Sequence, residues 1–113
     1  MGFGKSFEHY ILMELMAFWA YKKPDLPITF WRTSGGHEVD FILGDKDLAL
    51  EIKGSSRIHE GSLGPLKALL EDGPVKRSIV VCLEQTPRTL AQGIEVLPWD
   101  IFLRQLWDGE LAV

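Results

Sequence analysis

The hydrophobic positions along this chain follow two periods, one typical of helices and one typical of strands. Near the start, Phe7, Ile11, Leu15, Phe18 and Trp19 recur at three- and four-residue steps, so they form one apolar stripe on a helix. Later segments alternate between apolar and polar residues or run apolar throughout, which predicts strands. In chain order the pattern predicts a helix at 6–22, strands at 28–33, 38–43 and 48–53, a helix at 63–72, strands at 76–83 and 94–97, and a helix that Pro98 opens and Gly109 ends.

This order predicts an α/β fold in which helices flank one mixed sheet. Residues 44–47 form a turn cluster, so the strands on either side are expected to pair antiparallel. A four-residue turn puts Asp40 directly opposite Glu51, whereas a two-residue turn puts Asp40 opposite Ala49, diagonal to Glu51. In either register the two carboxylates fall on one patch of the sheet.

These charged residues interrupt apolar strands and suggest a metal site. Asp40 and Glu51 each lie between two apolar residues, and Lys53 follows Glu51 on the same strand face. Two carboxylates this close repel each other unless a cation lies between them, and oxygen ligands suit Mg²⁺ or Mn²⁺. Lys53 would then position an attacking water or neutralise a phosphate, as phosphodiester hydrolysis requires. The simpler interpretation is a surface cluster in which Lys53 pairs with the carboxylates.

The segments Glu38-Val39-Asp40 and Glu51-Ile52-Lys53 resemble the D…(D/E)xK signature of the PD-(D/E)XK phosphodiesterases. The resemblance implies a restriction-endonuclease-like core, with Asp40, Glu51 and Lys53 as the catalytic residues and Mg²⁺ or Mn²⁺ as the cofactor. In that family a glutamate on the preceding helix also faces the metal, and Glu8 matches that position. The implied metal ligands are therefore Asp40, Glu51 and Glu8.

A closer similarity covers nearly the whole chain. It is carried by Gly4 to Leu15, by Phe30-Trp31-Arg32-Thr33, by the two motif segments and by the helix after Leu97-Pro98. Together these segments resemble the C-terminal domain of unknown function found behind AAA-type ATPase modules in many bacteria and archaea. The resemblance implies one domain over 1–113, belonging to a longer protein in which an ATPase module precedes it. An AAA-type ATPase module is therefore an expected partner.

The charge balance limits the expected contacts with nucleic acid. A net charge of −4 argues against a dedicated nucleic-acid coat protein. It does not exclude a nuclease, because the carboxylates of a metal site contribute negative charge that bound cations offset. Arg32, at the end of a strand that leads into the site, and Arg57 are the candidate phosphate contacts. Trp99 and Trp107 are expected in the core or at an interface with the ATPase or a second copy of the chain.

The sequence contains no membrane or export signal. The longest apolar run, 11–21, is interrupted by Glu14 and falls short of a membrane span, and the N-terminus lacks the features of a secretory signal. Cys82 is the only cysteine and lies in an apolar run, so it is expected to be buried and reduced. A cytoplasmic location without membrane contact is expected by default.

Two functions of different classes follow from these observations. The first is a metal-dependent phosphodiesterase acting on DNA or RNA through Asp40, Glu51 and Lys53. The second is a non-catalytic docking or nucleic-acid-binding module that serves an AAA-type ATPase.

Overall fold

The computed structural model describes residues 3–32, 39–71, 73 and 75–111, and for 3–6, 30–32, 39, 40 and 65 it describes the backbone alone. The helices and strands follow the predicted order with one added strand. They are α1 (Phe3–Lys22), β1 (Ile28–Arg32), β2 (Val39–Leu43), β3 (Leu48–Ile52), α2 (Gly64–Glu71) after a 3₁₀ turn at Glu60–Ser62, β4 (Arg77–Cys82), β5 (Arg88–Thr89), β6 (Glu95–Pro98) and α3 (Trp99–Asp108).

Within the described residues, six strands form one mixed sheet in the order β1-β2-β3-β4-β6-β5. The first three strands form an antiparallel meander, whereas β4 pairs parallel with β3, and β6 pairs parallel with β4. The two-residue β5 closes the edge by pairing antiparallel with β6. The predicted α/β architecture with a mixed sheet is confirmed, and the finer assignment to a PD-(D/E)XK core stays a prediction.

The two faces of the sheet bury separate hydrophobic clusters. On the first face, the stripes of α1 and α3 pack against Leu48, Leu50 and Ile52 of β3. On the second face, Ala49 of β3 packs with Leu63 and Leu66 at the start of α2. The alternation of β3 between these clusters confirms the predicted division of its apolar side chains, because successive residues of a strand point to opposite faces.

The β2–β3 hairpin has the four-residue turn, one of the two alternatives that the sequence left open. Its register pairs Leu43 with Leu48 and Asp40 with Glu51. Gly44 adopts a φ of 69°, in the left-handed region, and a Cβ at that position would collide with the Asp47 carboxylate. Glycine therefore satisfies both the backbone and the steric requirements of the turn.

Three details differ from the sequence-based expectations. The first helix begins at Phe3 and not at residue 6. Strand β5 was not predicted, because two exposed residues produce no hydrophobic period. The helix predicted to start at residue 63 starts at Gly64, after a 3₁₀ turn. The expectations for 33–38, which include the turn before β2 and Glu38, lie outside the described residues.

The last helix matches its predicted limits. Pro98 is its N-cap, and Gly109 ends it in a left-handed conformation with a φ of 78°. Arg77 links this helix to the sheet: its guanidinium donates to both Glu95 carboxylate oxygens at 2.6 and 2.9 Å and to Gln105 Oε1 at 3.2 Å. This ion pair raises the pKa of Arg77.

Two further expectations can be compared with the structure. Cys82 is buried, as predicted, and burial raises the pKa of its thiol. None of the helices in the described part of the chain combines the length and apolarity that a bilayer crossing needs. The cytoplasmic location stays a prediction.

Candidate metal centre

One row of residues crosses the sheet through the predicted site. The strand registers align Trp31, Asp40, Glu51, Val80 and Val96. Val80 and Val96 belong to the α2-side cluster, so this row lies on the second face of the sheet. The Asp40–Glu51 pairing is the register that the four-residue turn predicted, and residues paired in this way have Cβ atoms roughly 5 Å apart.

Glu51 and Lys53 form a buried pair. The Glu51 side chain is fully buried and the Lys53 side chain is 10% exposed, with Lys53 Nζ lying 3.8 Å from Glu51 Oε2. The backbone continues the sheet at this point, because the Lys53 amide donates to the Val81 carbonyl at 2.9 Å. A solvated surface ion pair, the simpler interpretation of the sequence, is therefore wrong for these two residues.

The structure determines the position of Asp40 through its backbone. Asp40 lies in the middle of β2, paired with Glu51 on one side and with Trp31 on the other. Among the described side chains, which do not include that of Asp40, no three His, Cys, Asp or Glu residues are grouped as metal ligands. The metal site therefore depends on Asp40 joining Glu51, and oxygen donors from two opposed carboxylates fit Mg²⁺ or Mn²⁺ chemically.

Glu8 is buried, with 6% of its surface exposed. It follows Phe7 on α1, and the α1 stripe packs on the first face of the sheet, whereas Glu51 lies on the second. The role of Glu8 as a metal ligand stays a prediction.

The two candidate phosphate contacts lie in different places. Arg32 ends β1 and pairs with Val39, one position along from the Asp40 row. Arg57 lies in the loop after β3 and lines a cleft of about 640 Å³ between this loop and the loop after β4, together with His59 and Arg88. The cleft opens at the carboxyl ends of two parallel strands, where α/β sheets commonly bind ligands. Arg57 is thus placed to contact a ligand, and the role of both arginines stays a prediction.

A clamp beside this cleft was not predicted from the sequence. Glu84 Oε2 accepts hydrogen bonds from the Ile58 amide at 2.6 Å and from Arg88 Nη2 at 2.9 Å. Arg88 Nη2 also donates to the Ile58 carbonyl at 2.7 Å, so the ion pair binds both backbone polar groups of Ile58. The sequence feature that could have indicated this clamp is a glutamate directly after a predicted buried strand, with an arginine four residues later. The clamp fixes the loop that follows Lys53.

The clamp predicts a specific loss of stability in acid. Hydrogen bonds from Arg88 and from the Ile58 amide lower the pKa of Glu84 to about 2, below its usual value of 4.5. A lowered pKa in the folded state stabilises the fold above pH 4.5, and this contribution disappears as the pH falls towards 2. Glu84→Gln should lower the melting temperature by roughly 5 °C at neutral pH. Thermal melts from neutral pH to pH 2 should show the wild type and variant converging in acid.

Glu71→Gln provides the control, because Glu71 is an exposed carboxylate at the end of α2. That variant should melt like the wild type throughout the series. A Glu84→Gln protein as stable as the wild type at neutral pH would contradict the clamp.

Comparison with known proteins provides one match. Residues 3–102 match a family model described as a domain of unknown function (DUF4143). No curated protein and no solved structure matches the chain. The family match is consistent with the resemblance to the domain found behind AAA-type ATPases, and the relationship to the PD-(D/E)XK phosphodiesterases stays a prediction.

Proposed function

Because the chain belongs to the DUF4143 family of domains of unknown function, we propose its function from the site itself: a metal-dependent phosphodiesterase domain acting on nucleic acid. The observation that carries the proposal is the register of the β2–β3 hairpin. It pairs Asp40 with Glu51 across the hairpin, and Lys53 lies 3.8 Å from Glu51. The sheet thereby pairs the backbones of the two acidic residues, with the Lys53 ammonium beside Glu51.

Each residue has a role that its chemistry supports. Asp40 and Glu51 would hold Mg²⁺ or Mn²⁺, and Glu8 is the further candidate ligand. The ion would polarise the phosphate and lower the pKa of a water molecule. Lys53, held beside Glu51, would orient that water and offset the negative charge that develops on the phosphate. Arg57, at the mouth of the neighbouring cleft, would contact a flanking phosphate.

One observation favours the second candidate function, a non-catalytic module serving an AAA-type ATPase. Glu51 is fully buried and Lys53 is 9% exposed, so a phosphodiester reaches them only if the surrounding residues move. A chain that keeps the buried pair for stability alone would retain the fold without cleaving. A change in stability on addition of Mg²⁺ or Mn²⁺ distinguishes the two functions, because the docking function requires no ion.

Asp40→Asn tests the site by its metal response. In metal-free buffer the variant should melt about 3–5 °C higher than the wild type, because it removes repulsion between opposed carboxylates. Mg²⁺ at a hundredfold excess over its dissociation constant should stabilise the wild type by about 2.7 kcal/mol and leave the variant unchanged. Thermal melts with and without Mg²⁺ or Mn²⁺ measure both effects.

Cleavage should be assayed in parallel on single-stranded, duplex and branched DNA and on RNA. Asp25→Asn is the matched control, because Asp25 is exposed in the loop before β1. Cutting by the wild type and the control that vanishes in Asp40→Asn would establish the phosphodiesterase. A folded protein that neither binds the ion nor cuts any substrate would overturn that function in favour of the ATPase-serving module.

A further inference from the structure

The cleft beside the clamp has the size of a small-ligand site. Its volume is about 640 Å³, and it opens between the loop after β3 and the loop after β4, at the carboxyl ends of two adjacent parallel strands. Ile58 and Leu83 contribute apolar surface, and the other residues that line it are polar or charged. A cleft of this kind accommodates an organic ligand with a polar head group and is larger than a single ion requires.

The two acidic residues of the cleft already have cationic partners. Glu84 accepts hydrogen bonds from Arg88 Nε and Nη2 at 2.9 Å each. Glu60 Oε2 lies 3.7 Å from Lys67 Nζ. The described hydrogen bonds of Arg57 involve only its backbone, so within the described part of the chain its guanidinium has no ion-pair partner. Arg57 is therefore the cation that this cleft offers to an anionic ligand.

The backbone around Arg57 is held in place on both sides. Ser55 Oγ donates to the Arg57 carbonyl at 2.8 Å and accepts from the Arg57 amide at 3.2 Å. The Leu83 amide donates to the Ser55 carbonyl at 2.9 Å, which ties the two loops together, and the clamp fixes Ile58. A ligand that binds Arg57 therefore has little backbone to order, and preorganisation of this kind favours binding.

Neutral hydrogen-bond donors lie on both walls of the cleft. Ser56 and His59 belong to the loop after β3, whereas Gln85 and Thr86 belong to the loop after β4. A carboxylate is planar, and the fork of one arginine can satisfy it. A phosphate directs its oxygens tetrahedrally and accepts hydrogen bonds from several sides. The distribution of donors therefore favours a phosphate as the anionic group.

The cleft is close to the proposed metal site. Arg57 follows Lys53 by four residues, so their Cα atoms are at most about 14 Å apart. A nucleic-acid strand held beside Lys53 would therefore bring a nearby nucleotide to the cleft. This link to a strand rests on the proposed function, whereas binding in the cleft requires neither the metal ion nor cleavage.

We propose that this cleft binds a nucleotide through its phosphate, which pairs with the Arg57 guanidinium and accepts from the Ser56 and Thr86 hydroxyls. In buffer that contains EDTA, adenosine 5′-monophosphate should shift the amide NMR resonances within 55–60 and 83–88. Adenosine, which lacks the phosphate, should not bind measurably. Arg57→Gln should weaken binding of the monophosphate by about 10-fold or more, because it removes a charge-assisted pair.

Arg104→Gln is the matched control, because Arg104 is an exposed arginine of α3 that does not line the cleft. That variant should bind the monophosphate like the wild type, and melting curves verify that both variants are folded. A short oligonucleotide without terminal phosphates identifies the source of the phosphate. Arg57-dependent binding of the monophosphate assigns the cleft to a terminal phosphate, and Arg57-dependent binding of the oligonucleotide alone assigns it to an internal phosphodiester.

Binding of either phosphate ligand that Arg57→Gln weakens and Arg104→Gln retains supports the nucleotide site. It is overturned if neither ligand binds, if binding survives Arg57→Gln, or if the shifted resonances lie outside the two loops. Asp40→Asn separates this site from the proposed function, since that variant should bind the monophosphate like the wild type. Nucleotide binding without any cleavage would count against the phosphodiesterase alone, and metal-dependent cleavage without nucleotide binding would overturn the cleft site alone.

Discussion

Replacement of Lys53 by methionine is expected to lower metal-dependent cleavage by about 100-fold or more. Lys53 is 9% exposed and lies 3.8 Å from Glu51, so its ammonium is buried beside the Glu51 carboxylate and is not a solvated surface charge. Methionine keeps the unbranched stem that fills this space and removes only the ammonium. The proposed ligands of the ion are carboxylates, so binding of Mg²⁺ should be retained. Single-turnover cleavage and the Mg²⁺-induced change in melting temperature measure the two properties separately.

The matched control is Lys67→Met on α2. Lys67 also pairs with a glutamate, since its Nζ lies 3.7 Å from Glu60 Oε2, but both side chains are considerably exposed. This variant should cleave at the wild-type rate. Cleavage by Lys53→Met at the wild-type rate would falsify the catalytic role of Lys53, and loss of Mg²⁺ binding would show that it supports the ion instead.

Phe102→Ala should lower the free energy of unfolding by about 4 kcal/mol. Phe102 is fully buried on α3, in the cluster that joins α1 and α3 to the first face of the sheet. Alanine removes the apolar surface and leaves a cavity that the surrounding side chains fill only in part. Because small domains are stable by only about 5–15 kcal/mol, much of the stability would be lost. Urea unfolding should show a lower midpoint with an unchanged slope.

Arg104→Ala on the same helix serves as the control, because Arg104 is exposed. Its effect should stay within about 0.5 kcal/mol. If Phe102→Ala cost less than about 1 kcal/mol, then α3 would contribute little to the core, contrary to its burial.

Much of the candidate site could be predicted from the sequence because its geometry is local. The spacing of Asp40, the turn at 44–47 and Glu51 determines an antiparallel register once the turn length is known. Strand alternation likewise assigns Leu50 and Glu51 to opposite faces. The burial of Glu51 and Lys53 was not predicted in this way, because it depends on helices and loops that pack over the sheet from elsewhere in the chain.

Contacts between distant segments explain the remaining differences. The clamp joins Glu84 and Arg88 to Ile58. The hydrophobic periodicity of these two segments does not indicate that they contact each other. The assignment of Glu8 to the metal site came from the family resemblance, and its place on the helix stripe predicts only that it points inward. The stripe does not reveal which face of the sheet the helix covers. The packing places the α1 stripe on the first face of the sheet, and the role of Glu8 stays a prediction.

By itself the sequence determined the order of the main helices and strands, the apolar stripe of α1 and the placement of Asp40 and Glu51 on one patch of the hairpin, because each depends on the backbone period or on a local turn. The tertiary structure alone decided that β4 pairs parallel with β3 and that α1 and α3 share one face of the sheet. These features depend on which apolar surfaces cover each other across long separations in the chain. Periodicity shows on which side of its own helix or strand an apolar residue lies. The surface against which that side packs is determined only when all the layers pack together.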